Sequence, residues 1–181
     1  MFTLKLFALA ALVGLSMLSA AQEVESLDQK PFTVDPVHSS SIFRAHHFGA
    51  GMFYGRFNDV TGTIDIVEGL PEFAISIAID SVDTNNEKLD GHLKSPDFFN
   101  SVEFPEMTFK SSSAKNIGDE KYEVVGEITL HGVTKPLTVV MAKTGQVTNR
   151  RGEMIGFETT FTLNRSEFGM TYGVESGALS D

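Results

Sequence analysis

Five histidines are the side chains of this 181-residue chain best suited to moving a proton near neutral pH. Their spacing argues against a metal. His46 and His47 are adjacent in an alternating run, where neighbouring side chains point to opposite faces, so they do not chelate one ion together. His38, His92 and His131 fall in turn-like segments without the four-residue helical spacing of a zinc pair. For catalysis the chain holds serines, histidines and aspartates but no nucleophile-elbow motif. A hydrolase-like enzyme acting on a small amphiphile, with His47 or His131 as general base, is therefore a secondary reading. The primary reading has no catalytic residue, no metal and no cofactor. His47, sharing a strand face with Phe43 and Ala45, is instead a structural or headgroup-contacting residue. Arg56 and Arg165, each beside glycine-rich strand ends, are either inward charges or simply solvated ones, and Asn164-Arg165-Ser166 formally matches a glycosylation acceptor.

These groups must be carried by an exported scaffold. Lys5 precedes an apolar run from Leu6 to Leu18, followed by Ser19, Ala20 and Ala21, the layout of a secretory signal peptide over 1–21. The run is too short for a comfortable membrane span. No cysteine is present, so neither a disulfide framework nor a lipid-modified N-terminal cysteine is expected, and the protein is placed in the periplasm or outside the cell. Residues 22–30 form a flexible lead-in, and one domain follows over 31–181. The formal charge of −10 argues against nucleic acid and anionic membrane surfaces as partners. Fifteen phenylalanines without a tryptophan point to a large core or an apolar cavity wall, because phenylalanine offers bulk with no polar handle.

The hydrophobic period is two almost everywhere. Phe73, Ile75, Ile77 and Ile79 alternate with smaller or polar residues, as do Ile155, Phe157, Thr159, Phe161 and Leu163, predicting strands over Phe73–Ser81 and Ile155–Asn164. Weaker runs cover Phe32–Val37, Ser41–Phe48, Phe53–Ile66, Met107–Ser113, Tyr122–Leu130 and Leu137–Ala142. Gly55, Gly62 and Gly126 inside these runs suggest bulges or barrel corners. Turns are predicted at Glu68–Pro71, Asn116–Lys121, Leu130–Pro136 and Asn149–Gly152, and one short helix at Asn86–Leu93, stopped by Pro96. The class is all-β: an antiparallel sandwich or closed barrel. Long strands make a tall barrel, and about eight of them leave room for one slender ligand.

Val34-Asp35-Pro36-Val37-His38-Ser39-Ser40, Tyr54-Gly55-Arg56-Phe57 with Gly62-Thr63-Ile64, and Ser95-Pro96-Asp97-Phe98-Phe99 resemble the YceI-like family. Leu130 to Pro136 and Asn164-Arg165-Ser166-Glu167-Phe168-Gly169-Met170 continue the resemblance over nearly the whole mature chain. It implies an elongated antiparallel eight-stranded lipocalin-like barrel with one short helix, whose apolar interior holds a polyisoprenoid or isoprenoid quinone and performs no established catalysis. Two departures stand out. Leu89 occupies a position where the family commonly has arginine, and the chain stops at Gly177–Asp181 where a further strand is expected to close the barrel. The closing strand is expected to be missing, through truncation or a genuinely open barrel, leaving edges that invite pairing or a dimer.

The lipid-binding wall expected from this reading comprises Phe43, Ala45, His47 and Phe57 from the first hairpin, and Ile75, Ile77 and Ile79 from the next long strand. Met107, Phe109 and Ile128 follow, with Phe157 and Phe161 near the end. The bland alternative is an ordinary packed core. Phe98 and Phe99 follow Pro96 in a turn, and at least one of them is expected to plug one end of the barrel beside the short helix, since exposing such a ring costs roughly 1.5–3 kcal/mol relative to burial. A third reading is an interaction protein that recruits a partner strand to an open sheet edge.

Overall fold

A computed structural model describes residues 30–150 and 152–181. The expected leader over 1–21 and, apart from Lys30, the lead-in over 22–30 lie outside the described residues.

Among the described residues ten strands follow one another: β1 (Phe32–Thr33), β2 (Ser41–His47), β3 (Gly51–Phe57), β4 (Val60–Val67), β5 (Leu70–Ala78) and β6 (Val82–Asp83), then β7 (Glu106–Gly118), β8 (Lys121–Leu130), β9 (Val133–Asn149) and β10 (Gly152–Glu158). β1 and β6 are two-residue stubs, so eight strands of substantial length build the fold. Every pairing is antiparallel. The hairpins form where short polar turns interrupt the period-two runs. Glu68 and Gly69 (φ 51° and 81°) join β4 to β5, Asp119 and Glu120 (52° and 55°) join β7 to β8, and His131 and Gly132 (51° and 73°) join β8 to β9. Two successive positive φ angles make the primed turn whose twist matches the strands it connects.

Hydrogen bonding yields a sheet in the order β1-β4-β5-β7-β8-β9-β10 and a smaller one in the order β2-β3-β6. They are one wall with a corner. β3 passes into β4 across Asn58 and Asp59, while β5 passes into β6 through a 3-10 turn at Ile79–Ser81. The two bends are tied together, because Asn58 N donates to Ser81 O at 3.2 Å and Ala78 N to Asp59 O at 3.0 Å. The result is a nearly closed antiparallel barrel with one unsealed seam, between β2 and the chain that follows β10.

Three predicted strands are shorter than their alternation suggested, and the first, Phe32–Val37, pairs only over Phe32–Thr33. The run Phe73–Ser81 stops as a strand at Ala78, and Ile79 turns into the core at 1% exposure because the wall bends there. The run Ile155–Asn164 pairs only to Glu158. Beyond it the Thr159 hydroxyl donates to Val140 O at 2.8 Å, occupying the carbonyl a continued ladder would use, and residues 159–164 run on without pairing. The predicted helix is α1 (Glu87–Leu93), capped by the Asn86 side chain, which accepts from Leu89 N at 3.1 Å.

Two buried clusters hold the wall together. The first unites Phe57, Ile79, Val82, Leu93, Phe98, Ile128, Leu130, Phe168 and Met170 at the α1 end. The second joins Phe73, Tyr122, Val124, Val139 and Met141. Phe109 and Leu137 are half-buried and pack against both.

Candidate functional site

Between the two clusters, inward-facing residues of neighbouring strands are only partly covered. Register brings them side by side: Ile77 on β5 lies opposite Met107 on β7, and Ile75 opposite Phe109, which itself faces Ile128 on β8. Phe157 of β10 closes this stripe by packing edge-on against Phe73 with ring centroids 5.2 Å apart. On the opposite wall Phe43 meets Phe57 at 5.5 Å and Phe99 at 6.2 Å, and Phe57 meets Phe99 at 5.3 Å.

The candidate wall residues therefore fall into three groups. Phe57, Ile79, Phe98 and Ile128 are fully buried and form the floor. Phe43, Ile77, Phe99, Met107 and Phe109 are half-buried against that floor, while Ile75 and Phe157 pack on the second cluster and Ala45 lies half-buried on β2. Phe161 and His47 stand apart. Phe161 is 45% exposed beside the seam, and His47 is exposed, its ring edge-on to Phe48. Phe98 is buried at 7% exposure next to Leu93 of α1, with Phe99 half-buried beside it.

Phe53, Leu137 and Leu163 also line this interior but were not singled out from the sequence. Leu137 shares the parity of Val139 and Met141, and Phe53 that of Phe57, so strict period-two counting finds both.

Two glycines allow the phenylalanines to lie flat on the wall. A Cβ at Gly55 would overlap the Phe43 ring, and one at Gly126 would overlap the Lys110 carbonyl and come within 2.8 Å of the Phe109 ring. Each ring thus occupies the space above a glycine on the adjacent strand.

Polar groups keep to the periphery. Among the described residues no polar or charged residue is fully buried. Arg56 does not point inward: it forks onto Asp83 from the outer face, with Nη2 2.9 Å and Nε 3.2 Å from Oδ2. Asp83 also accepts from Asn85 N at 2.8 Å and Asn58 Nδ2 at 3.1 Å. These bonds, the Asn85 amide foremost, hold its carboxyl below the usual 3.8, at about 2. The pair borders an open outer depression of about 380 Å³ lined by Ile42, Tyr54 and Thr84. Arg165 sits at the floor, its guanidinium 5.9 Å from the Phe98 ring centroid, with Nε donating to Ser180 O at 2.8 Å and Nη1 to Met170 O at 3.0 Å. Partial burial lowers its pKa. Leu89, where the resemblance calls for arginine, packs against the floor cluster.

The two candidate bases meet a backbone carbonyl and an aromatic ring. His131 Nδ1 lies 2.9 Å from Phe168 O, and its Nε2 is buried without a hydrogen-bond partner. His47 contacts a phenylalanine rather than a carboxylate. Among the described residues no group of three or more His, Asp or Glu side chains is placed to hold a metal ion, and no helix is long and apolar enough to cross a membrane.

A small antiparallel barrel with a phenylalanine-lined interior and most of its charges outside is a lipocalin-like barrel. The YceI-like domain matches residues 32–181, and the chain belongs to that family. Protein YceI of Escherichia coli O157:H7 is 35% identical over 164 residues, covering 87% of this chain and 85% of that protein. The crystal structure of the Campylobacter jejuni YCEI protein superposes with a TM-score of 0.64 at 28% identity, over 82% of this chain and 91% of the other. A polyisoprenoid binding domain from Saccharophagus degradans shares the fold at TM-score 0.59 and 14% identity, covering 82% of this chain and 88% of its own.

Proposed function

We propose that this protein is an exported carrier that sequesters a long-chain isoprenoid, a polyisoprenoid or an isoprenoid quinone, in the barrel interior, with no bond made or broken. The observation that carries the proposal is the half-buried apolar stripe Ile77, Phe109 and Phe157, faced by Phe43 on the opposite wall, which no fully buried polar residue interrupts among the described residues. Membership of the family, and the description of its S. degradans fold neighbour as polyisoprenoid-binding, support the ligand class. The apolar run ahead of Ser19-Ala20-Ala21 supports export to the periplasm or beyond.

The energetics are permissive. Removing about thirty isoprenoid carbons from water at roughly 0.8 kcal/mol each yields on the order of 24 kcal/mol, beyond the practical affinity ceiling of roughly 18–21 kcal/mol. Chain ordering and lipid self-association offset part of this, leaving ample driving force for retention during purification.

Organic extraction of the protein purified from bacterial cells, followed by mass spectrometry, tests the reading. A near-stoichiometric isoprenoid is the expected result. Recovery of no lipid, together with failure to take up added ubiquinone, would count decisively against it. Ile77→Asp, which puts a charge on the interior stripe, is expected to weaken ubiquinone binding by about tenfold or more, from the roughly 1.5–3 kcal/mol of a buried aliphatic side chain. Ala74→Asp, on the exposed face of the same strand, should leave titrations unchanged.

A further inference from the structure

We propose that the outer face of the β2–β3 hairpin is a docking surface for an anionic lipid bilayer, with a lipid phosphate seated at Arg56. The proposal is independent of the cargo reading, because it rests on side chains that point away from the interior. The formal charge of −10 disfavours anionic surfaces for the chain as a whole, yet residues 38–58 hold two arginines, three histidines and neither aspartate nor glutamate. β3 carries the hairpin tip seven residues away from the bend at Asn58, about 20 Å at about 3.3 Å per residue. Since the Debye length is about 8 Å at physiological salt, the acidic turns at Glu68 and Asp119-Glu120, at the other end of the barrel, are screened from the tip.

Register arranges the face. Ile42 lies opposite Arg56, Arg44 opposite Tyr54 and His46 opposite Met52, so each cross-strand pair sets a basic side chain beside an apolar one. All six are exposed, Ile42 at 69% and Tyr54 at 56%. At the tip, Ala50 N donates to His47 O at 3.1 Å, and the His47 ring, edge-on at 4.4 Å, props Phe48 outward at 68% exposure. Side chains stand perpendicular to a sheet, so whatever pairs along the edge of β2 leaves this face open. A contiguous set of exposed apolar side chains marks a contact site, and the cations define the partner. Arg44 makes no salt bridge among the described residues. Arg56 is held in place, with Nε and Nη2 3.2 and 2.9 Å from Asp83 Oδ2, which also accepts from Asn58, while Nη1 is left without a partner among the described residues. A guanidinium fixed along one edge presents the other, ready aligned, to the oxygens of a phosphate. The depression beside it, about 380 Å³ and lined by Ile42, Tyr54 and Thr84, accommodates the headgroup. An acidic peptide would match the arginines but leave the interleaved apolar side chains in water. A bilayer surface supplies phosphate and hydrocarbon together, which is where tyrosine, phenylalanine and arginine are jointly satisfied.

The test is co-sedimentation of the full chain with vesicles of phosphatidylglycerol and phosphatidylcholine in equal parts, against vesicles of phosphatidylcholine alone. Binding to the anionic vesicles is expected to be about tenfold tighter or more, and to be lost in about 1 M salt, where the Debye length shrinks to about 3 Å. Arg44→Glu and Phe48→Asn are each expected to weaken it by about tenfold. Asparagine tolerates the left-handed φ of 52° at Phe48, so the second variant removes the ring and keeps the turn. Both variants should melt with the parent and take up ubiquinone from detergent as the parent does, so that failure to dock and failure to hold cargo are read separately. The proposal is overturned if the two vesicle compositions bind equally or if either variant docks like the parent. It is also overturned if inorganic phosphate at matched ionic strength displaces the protein from the vesicles, which would reveal a site for free anions. Binding of a capped oligoglutamate peptide in place of the vesicles, lost in Arg44→Glu, would assign the face to an acidic protein and overturn it as well.

Discussion

Phe98 shows how a residue in a turn can form the floor of a barrel. Pro96 ends the helical turn, Phe98 N donates to Ser95 O at 3.0 Å, and the tight backbone swings the ring onto Leu93, His92 and Tyr172. Phe98→Ala is expected to destabilise the fold by about 3–5 kcal/mol in denaturant titrations, the range for emptying a buried aromatic site. Lys94→Gln, which removes only a surface ion pair to Asp80 at 3.4 Å, should cost less than about 1 kcal/mol. Asp83 sets a second expectation at this scale. Its carboxyl titrates at about 2 in the fold against an ordinary 3.8, so its bonds to Asn85, Arg56 and Asn58 contribute stability that is fully present above pH about 3.8 and lost as pH falls towards 2. The urea midpoint of the parent chain should therefore fall more steeply through that window than that of Asp83→Asn. Equal slopes would show that the Asp83 bonds do not persist in solution.

At the scale of elements, the wall depends on strands approaching closely where an aromatic ring must lie flat. On β8, Gly126 faces the bulge at Ser111–Ser113 of β7 and sits under the Phe109 ring. Gly126→Ala is expected to destabilise by about 1–3 kcal/mol because the backbone carbonyl it meets does not yield as a side chain would. Gly145→Ala on β9, where an added Cβ meets nothing within 4 Å, should remain within about 0.5 kcal/mol of the parent. Thermal melts of the two variants, side by side, decide the point. If they are equal, β8 relaxes away from β7 at no cost and the glycine is not what permits the ring to lie flat.

At the scale of the whole molecule, two buried clusters flank a stripe that the polypeptide itself covers incompletely. A ligand seated on that stripe binds the folded state alone and stabilises it by mass action, about 2.7 kcal/mol at a hundredfold excess over Kd. Saturating ubiquinone is accordingly expected to raise the melting temperature of the parent chain and to raise that of Ile77→Asp much less. A short-chain quinone, lacking the isoprenoid carbons, should produce little shift in either.

The sequence by itself determined what depends on near neighbours. Period-two alternation identified most of the strands, the segments Glu68–Pro71, Asn116–Lys121 and Leu130–Pro136 held the hairpin turns, and Leu89 with Leu93 and Pro96 placed the helix, because backbone preference and one-face burial act over a few residues. Tertiary structure alone decided where alternation ceases to mean pairing. Ile79 continues the apolar rhythm of β5 yet lies in a 3-10 turn because Asn58 and Ala78 tie two bent strands together. Phe161 continues the rhythm of β10 yet stands half-exposed, since the Thr159 hydroxyl takes the Val140 carbonyl and residues 159–164 form no ladder. Arg56 reads as either an inward or a solvated charge until Asp83, 27 residues away, holds it on the outer face. In each case the deciding partner is distant in sequence, and only the register of the folded wall brings it within hydrogen-bonding reach.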